Sequence, residues 1–329
     1  MIVDNHGRPI NYLRVAVTDR CNLRCFYCMP EDGIKYLPKK ELLTFEEIIR
    51  LVTLLAKEGI SKIRFTGGEP FVRKDFMDLV QGVSNIEGIN AIHLTTNGVL
   101  TAPYVGDLKA AGVKSVNLSL DTLDRERFKE ITRRDEFDNV METFHLLLEH
   151  DIPVKINAVV MEGKNIDDII PLVELTKKHP VAVRFIEEMP FNGEGSHYPK
   201  LDWTYNKIVG YIKDKFPSMT KIQDEANSTS YNYKIEGHQG DVGVIAAFSR
   251  TFCGTCNRIR LTAQGTLKTC LYDDGVLNIR DLMRSDISDK EVMSHLFKAF
   301  GQREKDGWDA ERKRKSGLPA AESMSTIGG

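Results

Sequence analysis

The chain has 329 residues, enough for one large folded unit or two smaller ones. Its 41% hydrophobic and 28% charged residues are ordinary for a globular protein, and 45 Lys and Arg against 47 Asp and Glu leave a net charge of −2, which gives no global pull toward nucleic acid or an anionic membrane. No apolar run reaches the ~20 residues of a membrane span, and Met1-Ile2-Val3-Asp4 opens neither a secretory signal nor an Arg-rich transit peptide.

In chain order, residues 11–186 alternate short apolar runs with amphipathic stretches. The runs Leu13–Val17, Lys62–Thr66, Ala91–Thr95, Ser115–Leu120, Val154–Val160 and Val181–Ile186 are rich in β-branched and aliphatic residues and predict strands. Between them Thr44–Lys57, Lys74–Ser84, Pro103–Ala111, Phe137–His150 and Ile166–Lys178 predict helices. Thr44 and Glu47 make a capping box, and Gly59 is a stop signal. Repeated βα units imply a parallel sheet with helices outside, and six of them suggest an α/β fold of the partial (β/α)6, TIM-like kind. In such folds the chemistry sits at the C-terminal ends of the strands. Cys21–Cys28, Thr66-Gly67-Gly68-Glu69-Pro70, Thr95-Thr96-Asn97-Gly98, Ser119-Leu120-Asp121 and Glu187-Glu188-Met189-Pro190 all fall there.

After about residue 190 the texture changes, so the chain divides into 1–190 and 191–329, with Phe191–Leu201 as the linker. Ile208–Phe216 predicts a helix. Tyr231–Ile235, Gly243–Phe248 and Ile259–Thr262 predict antiparallel strands, with a hairpin at Gly265 leading to Leu267–Cys270. Helices follow over Asn278–Arg284 and Asp289–Phe300, then a charged tail from Lys305 to Lys315.

The six cysteines form two triads, Cys21-x3-Cys25-x2-Cys28 and Cys253-x2-Cys256-x13-Cys270, with none left over. A chain this large needs no disulfide staples. A structural zinc site shows four ligands, and neither triad has an adjacent fourth Cys or His. A [4Fe–4S] cubane held by three thiolates keeps one iron open, and an open iron can take an amine and a carboxylate from a small molecule. The first triad reads as such a cluster, and its spacing, with Tyr27 before the last Cys, resembles the signature of the radical S-adenosylmethionine (SAM) enzymes. Taken alone, the second triad suits zinc and iron–sulfur about equally; beside the first, it leans to a second cluster. Such clusters point to a reducing cytoplasm.

Arg14, Arg64 and Lys155 lie in or at strand-like runs, and Arg258 and Arg260 follow Cys256. An Arg in a strand is costly to bury unless it meets an anion, and its fork matches phosphate and carboxylate. Each alone reads as an ion-pair partner. Aimed together at one barrel mouth, they suggest a polyanion such as a nucleoside triphosphate.

Cys21–Cys28, Gly67-Gly68-Glu69-Pro70, Cys253-Gly-Thr-Cys256-Asn-Arg258-Ile-Arg260-Leu-Thr262, Cys270 and the terminal Gly328-Gly329 together resemble the MoaA family, the GTP 3′,8-cyclases of molybdenum cofactor biosynthesis. The resemblance runs over essentially the whole chain. It implies a radical SAM lyase that converts GTP to (8S)-3′,8-cyclo-7,8-dihydroguanosine 5′-triphosphate, the first step of that route, by abstraction of the ribose 3′ hydrogen. It implies two [4Fe–4S] clusters, one on Cys21, Cys25 and Cys28 and one on Cys253, Cys256 and Cys270. Tyr27, Gly68, Ser119 and Met189 match SAM-contacting positions. Arg14, Arg64, Thr95, Lys155, Arg258 and Arg260 match GTP-contacting positions. The resemblance further implies a homodimer, an electron donor, transfer of product to a cyclic pyranopterin monophosphate synthase, and a Gly-Gly tail reaching the active site. The alternatives are another radical SAM enzyme with an auxiliary cluster, acting on a peptide or small molecule, and a zinc-stabilised binding module. The near-neutral charge and the lack of interleaved aromatic and basic residues argue against the last as a nucleic-acid binder.

Overall fold

The computed structural model describes residues 1–191, 201–315 and 322–328. The predicted linker, Phe191–Leu201, falls mostly outside them, as does Gly329. The N-terminus forms a small hairpin of β1 (Ile2–Val3) and β2 (Pro9–Ile10). Then come β3 (Tyr12–Ala16), α1 (Phe45–Lys57), β4 (Lys62–Thr66), α2 (Phe76–Ser84), β5 (Ala91–Thr96), α3 (Val105–Ala110), β6 (Ser115–Ser119), α4 (Arg125–Thr132), α5 (Phe137–Glu149), β7 (Val154–Val160), α6 (Ile169–Lys178) and β8 (Ala182–Glu187). The six long strands pair parallel in sequence order from β3 to β8, the arrangement the βα alternation predicts. α1 starts where expected, with the Thr44/Glu47 capping box formed.

Beyond the linker lie α7 (Tyr205–Lys215), β9 (Thr220–Lys221), β10 (Ser230–Lys234), β11 (Asp241–Ile245), β12 (Arg258–Leu261), β13 (Thr266–Lys268), β14 (Leu277–Asn278), α8 (Ile279–Arg284), α9 (Asp289–Phe300), α10 (Gly307–Arg312) and α11 (Met324–Ile327). The expected antiparallel pairing holds for β10–β11 and for β12–β13, and two short strands that patterning passed over, β9 and β14, extend these pairs antiparallel. The two strands that meet the barrel also extend its parallel order. β11 runs parallel to β8, and β12 runs parallel to β3. Eight parallel strands therefore stand side by side, β12-β3-β4-β5-β6-β7-β8-β11, flanked by antiparallel hairpins. Residues from both of its outer parallel strands, Ile245 of β11 and Arg258 of β12, line one cavity, so the sheet is curled around it. The amphipathic stretches at 125–132 and 307–312 are helices that sequence patterning passes over. Each is short, and α4 buries only Phe128, Ile131 and Thr132.

Parallel strands covered on both faces are ordinarily apolar throughout. Here they alternate. Leu13, Val15, Ile63, Phe65, Ile156, Val183 and Phe185 are fully buried against the helices, whereas Tyr12, Arg14, Lys62, Arg64, Lys155, Asn157 and Arg184 face the lumen. Side chains alternate faces along a strand, so one sequence pattern builds an apolar outer core and a polar interior.

Candidate active site

The Cys21–Cys28 loop leaves the C-terminal end of β3 and is fastened by backbone on two sides. Arg24 and Phe26 donate to the carbonyls of Thr132 and Ile131 at 2.9 and 3.2 Å, and Gly68 and Glu69 donate to those of Thr18 and Arg20, both at 2.8 Å. A Cβ on Gly68 would lie 2.1 Å from Arg20 O; one on Gly67, at φ +141°, would lie 2.4 Å from Thr18 O. The glycine pair is thus required by the approach of the cysteine loop itself, before any ligand is considered.

All three thiols of the first triad are free. Burial pushes Cys21 up to about 12 and Cys25 well above its ordinary value, and each also feels a neighbouring thiol of the triad. Cys28 is pushed up to about 11 by burial, against hydrogen bonds from Ser325, Ser323 and Met324. Tyr27 donates from its hydroxyl to Asp121 Oδ2 at 2.7 Å. Ser119 closes β6 on the same side, in register with Asn157.

The second triad lies at the opposite end of the strands. Cys253 and Cys256 occupy the turn just before β12, whose first residue, Arg258, is in register with Tyr12 at the start of β3. Cys270 follows β13. Burial pushes Cys270 up to about 12 and raises Cys253. Cys256 moves the other way: burial raises it, but Arg303 and Arg258 more than offset that.

Between the triads lies a cavity of about 260 Å³. It brings together the predicted Arg14, Arg64, Lys155, Met189, Arg258 and Arg260 with all three cysteines of the second triad. The cations therefore line the lumen rather than one mouth: Arg14, Arg64, Lys155 and Arg260 sit inside strands, and Arg258 opens β12. Tyr27, Gly68, Thr95, Ser119 and the first triad are not among its lining residues. Thr95 is tied to it through Arg64, whose Nη1 donates to Thr95 Oγ1 at 3.4 Å. Patterning missed Lys62, Arg184, Tyr12, Asn117, Asn157 and Glu225, which also line it. The signal was available: Lys62, Tyr12 and Asn157 each lie two residues from a predicted contact, and Arg184 is another Arg inside a strand.

Among the described residues, eight basic side chains and one carboxylate, Glu225, line this space. Arg64 Nε donates to Tyr12 Oη at 2.6 Å, with Lys62 Nζ 4.9 Å and Arg258 Cζ 5.6 Å from the Tyr12 ring centre. Burial would raise the Tyr12 phenol, but Arg64, Arg14 and Arg258 bring it down to about 7. Burial, then Arg184, brings Lys155 down to about 8. Arg184 Nε, Arg258 Nη1, Asn117 Oδ1 and Asn157 Oδ1 are buried without a hydrogen-bond partner among the described residues. Crowded cations and orphaned polar atoms give this lumen the chemistry to take a polar, polyanionic ligand.

The C-terminal segment stands between the two triads. Ser323 Oγ donates to Cys28 O at 2.8 Å. Met324 lines the cavity, and Arg260 Nη1 donates to the Gly328 carbonyl. Up to Gly328, the last described residue, the tail thus packs against the cavity through Met324 and Arg260.

Residues 15–176 match the Radical SAM superfamily and residues 181–308 the Molybdenum Cofactor Synthesis C family. GTP 3′,8-cyclase of Syntrophomonas wolfei is 42% identical over 326 residues, 95% of this chain and 98% of that protein. The chain belongs to the GTP 3′,8-cyclase family of molybdenum cofactor biosynthesis. Mouse molybdenum cofactor biosynthesis protein 1 is 43% identical over 305 residues, 92% of this chain. The chain spans about half of that relative, 48%. Streptococcus suis SuiB shares the fold, with a TM-score of 0.61 at 14% identity over 90% of this chain and 67% of that one.

The residues fit the clusters a radical SAM family member of this kind implies. Each triad gathers three free thiols whose charges act on one another, and iron would displace their protons. Among the described residues, no three Cys, His, Asp or Glu side chains lie placed to hold one metal ion; in a cluster each thiolate binds a different iron. Among the same residues no helix is long and apolar enough to cross a membrane.

Proposed function

We propose that this protein is a radical SAM GTP 3′,8-cyclase, with residues 1–190 supplying the barrel and SAM site and 191–329 the auxiliary-cluster wall. Cys21, Cys25 and Cys28 hold the SAM-binding cluster, and Tyr27, Gly68, Ser119 and Met189 contact SAM. Cys253, Cys256 and Cys270 hold the second cluster. When bound, the first cluster and SAM supply hydrogen-atom abstraction. Every other task falls to the chain's own side chains. Arg14, Arg64, Thr95, Lys155, Arg258 and Arg260, joined by Lys62 and Arg184, neutralise the triphosphate and fix the ribose 3′ carbon toward the SAM side. Such positioning, with water excluded, is where the protein's share of catalysis arises. The curled sheet and the tail keep bulk water from a reactive sugar.

The observation that carries this reading is the cation-lined lumen with orphaned polar atoms, set between two cysteine triads. Electron donor, product transfer to a cyclic pyranopterin monophosphate synthase, homodimer and a reducing cytoplasm belong to the same proposal. The test is anaerobic turnover of reconstituted protein with SAM, a strong reductant and GTP deuterated at the ribose 3′ position. Deuterium in the 5′-deoxyadenosine supports the reading. SAM cleavage without label removes GTP as the hydrogen donor.

A further inference from the structure

Arg303, in the turn between α9 and α10, is 3% exposed and spends its whole fork on the second triad. Nη2 donates to Cys256 Sγ at 3.1 Å and to Arg258 O at 2.9 Å; Nη1 donates to Cys256 O at 2.8 Å; Nε donates to Thr269 O, the carbonyl before Cys270, at 3.0 Å. Asp4 Oδ2 lies 3.3 Å from Arg303 Nη1 and accepts from Arg8 Nε at 2.6 Å. Arg8 in turn donates to Cys253 O at 3.0 Å. One buried Arg8–Asp4–Arg303 network thus touches the backbone at or beside all three ligand cysteines and the sulfur of one. Its acid and one of its bases come from the N-terminal hairpin turn, about 250 residues before the cysteines they serve.

We propose that Arg303 is a positioning residue for the auxiliary cluster: it holds the Cys256 thiolate and raises the cluster's reduction potential, with Asp4 setting the strength of that effect. The inference rests on the reading of the second triad as an iron–sulfur site. A cation and an N–H donor at a ligand sulfur withdraw electron density and stabilise the added electron. Asp4 is the counter-charge that damps this, so Arg303 and Asp4 act with opposite sign. A purely structural brace has no such sign.

The test uses reconstituted full-length protein carrying Cys21→Ser, Cys25→Ser and Cys28→Ser, so that only the second cluster reports. Potentiometry followed by electron paramagnetic resonance gives its midpoint potential, beside iron content. Arg303→Gln lowers the potential, Arg303→Lys falls between it and the parent, and Asp4→Asn raises it. Should Arg303→Gln not fold, Asp4→Asn and Arg303→Lys carry the comparison. Unchanged potentials at full iron content, or shifts of one sign from both positions, overturn the inference and leave the proposed function standing. Absence of any cluster in the parent protein overturns the iron–sulfur reading of the second triad, and this inference with it.

Discussion

Lys155 offers the most direct quantitative test of the lumen. It lies in β7, on the inner face, and its ammonium is brought down to about 8 by burial and then by Arg184. A bound triphosphate supplies the missing counter-charge and favours the protonated form. If only protonated Lys155 takes part, the apparent Kd for GTP grows as 1 + 10^(pH − 8). That factor is close to one at pH 7 and about ten at pH 9, a loss of ~1.4 kcal/mol. The free protein moves the opposite way. Its native state binds fewer protons than the unfolded chain between about 8 and the ordinary 10.5, so this group makes stability rise with pH across that window. Tyr12, brought down to about 7, titrates nearby and would add its own pH dependence. The comparison is therefore made in Tyr12→Phe, with the double variant Tyr12→Phe/Lys155→Met correcting for ionisation of GTP. Calorimetric Kd at pH 7, 8 and 9 should weaken about tenfold more in the single variant than in the double, with proton uptake on binding above pH 8. Identical pH slopes in the two variants would refute the placement of Lys155 against the phosphates.

Other expectations follow from single contacts. Gly68→Ala drives a methyl to within 2.1 Å of Arg20 O, so it should cost ~1–3 kcal/mol of stability as an overpacked site; melting temperature and iron content both fall, the iron lost from the first triad while the second stays filled. Cys21→Ala should abolish SAM cleavage, whereas Cys270→Ala should keep GTP-independent cleavage and lose cyclisation; full cyclase activity in Cys270→Ala would remove the second cluster's role. Among the described residues, Glu225 is the one carboxylate facing Lys62, Lys155 and Arg184. Glu225→Gln should tighten GTP binding ~3- to 5-fold, the scale of one partly exposed charge pair, and weaker binding would show that Glu225 contacts the nucleotide favourably.

What could be read from the sequence depended on how local each feature is. The strands β3 to β8 were legible because β-branched runs and capped amphipathic helices are signals carried within a dozen residues. The Cys spacing was legible for the same reason. Pairing partners are not local: nothing in Asp241–Ile245 or Arg258–Leu261 states that each will run parallel to a barrel strand. Lys62 and Arg184 were within reach, since a strand whose inner positions hold one cation holds its neighbours two residues away on the same face. Arg303 was out of reach. It sits in Gln302-Arg303-Glu304-Lys305, a charged stretch that looks solvated, and only tertiary packing buries it on Cys256. Taken alone, Gly67 and Gly68 read in sequence as a tight βα turn, and beside the cysteine loop as a ligand's close approach; the structure adds the close approach of the Thr18–Arg20 backbone.

The lumen also explains why a chain of net charge −2 can hold so concentrated a positive site. Crowding buried cations together is costly, and the protein bears that cost in two visible ways. It lowers proton affinity, as at Lys155 and at Arg184, brought down to about 10 by burial and then Arg64. It also places a phenol between Arg64, Lys62 and Arg258, where a phenolate can offset their charge. Both adjustments are reversed by a triphosphate, which restores the ammonium and makes the phenolate superfluous. Binding of the nucleotide should therefore stabilise the fold by more than its contacts alone supply, because it also relieves the mutual repulsion of the lumen cations. The check is thermal unfolding at fixed GTP in wild type and Tyr12→Phe: the nucleotide-free form of Tyr12→Phe should lose stability, and its GTP-dependent gain in melting temperature should exceed that of wild type. Equal gains would mean that Tyr12 shields nothing in the free enzyme.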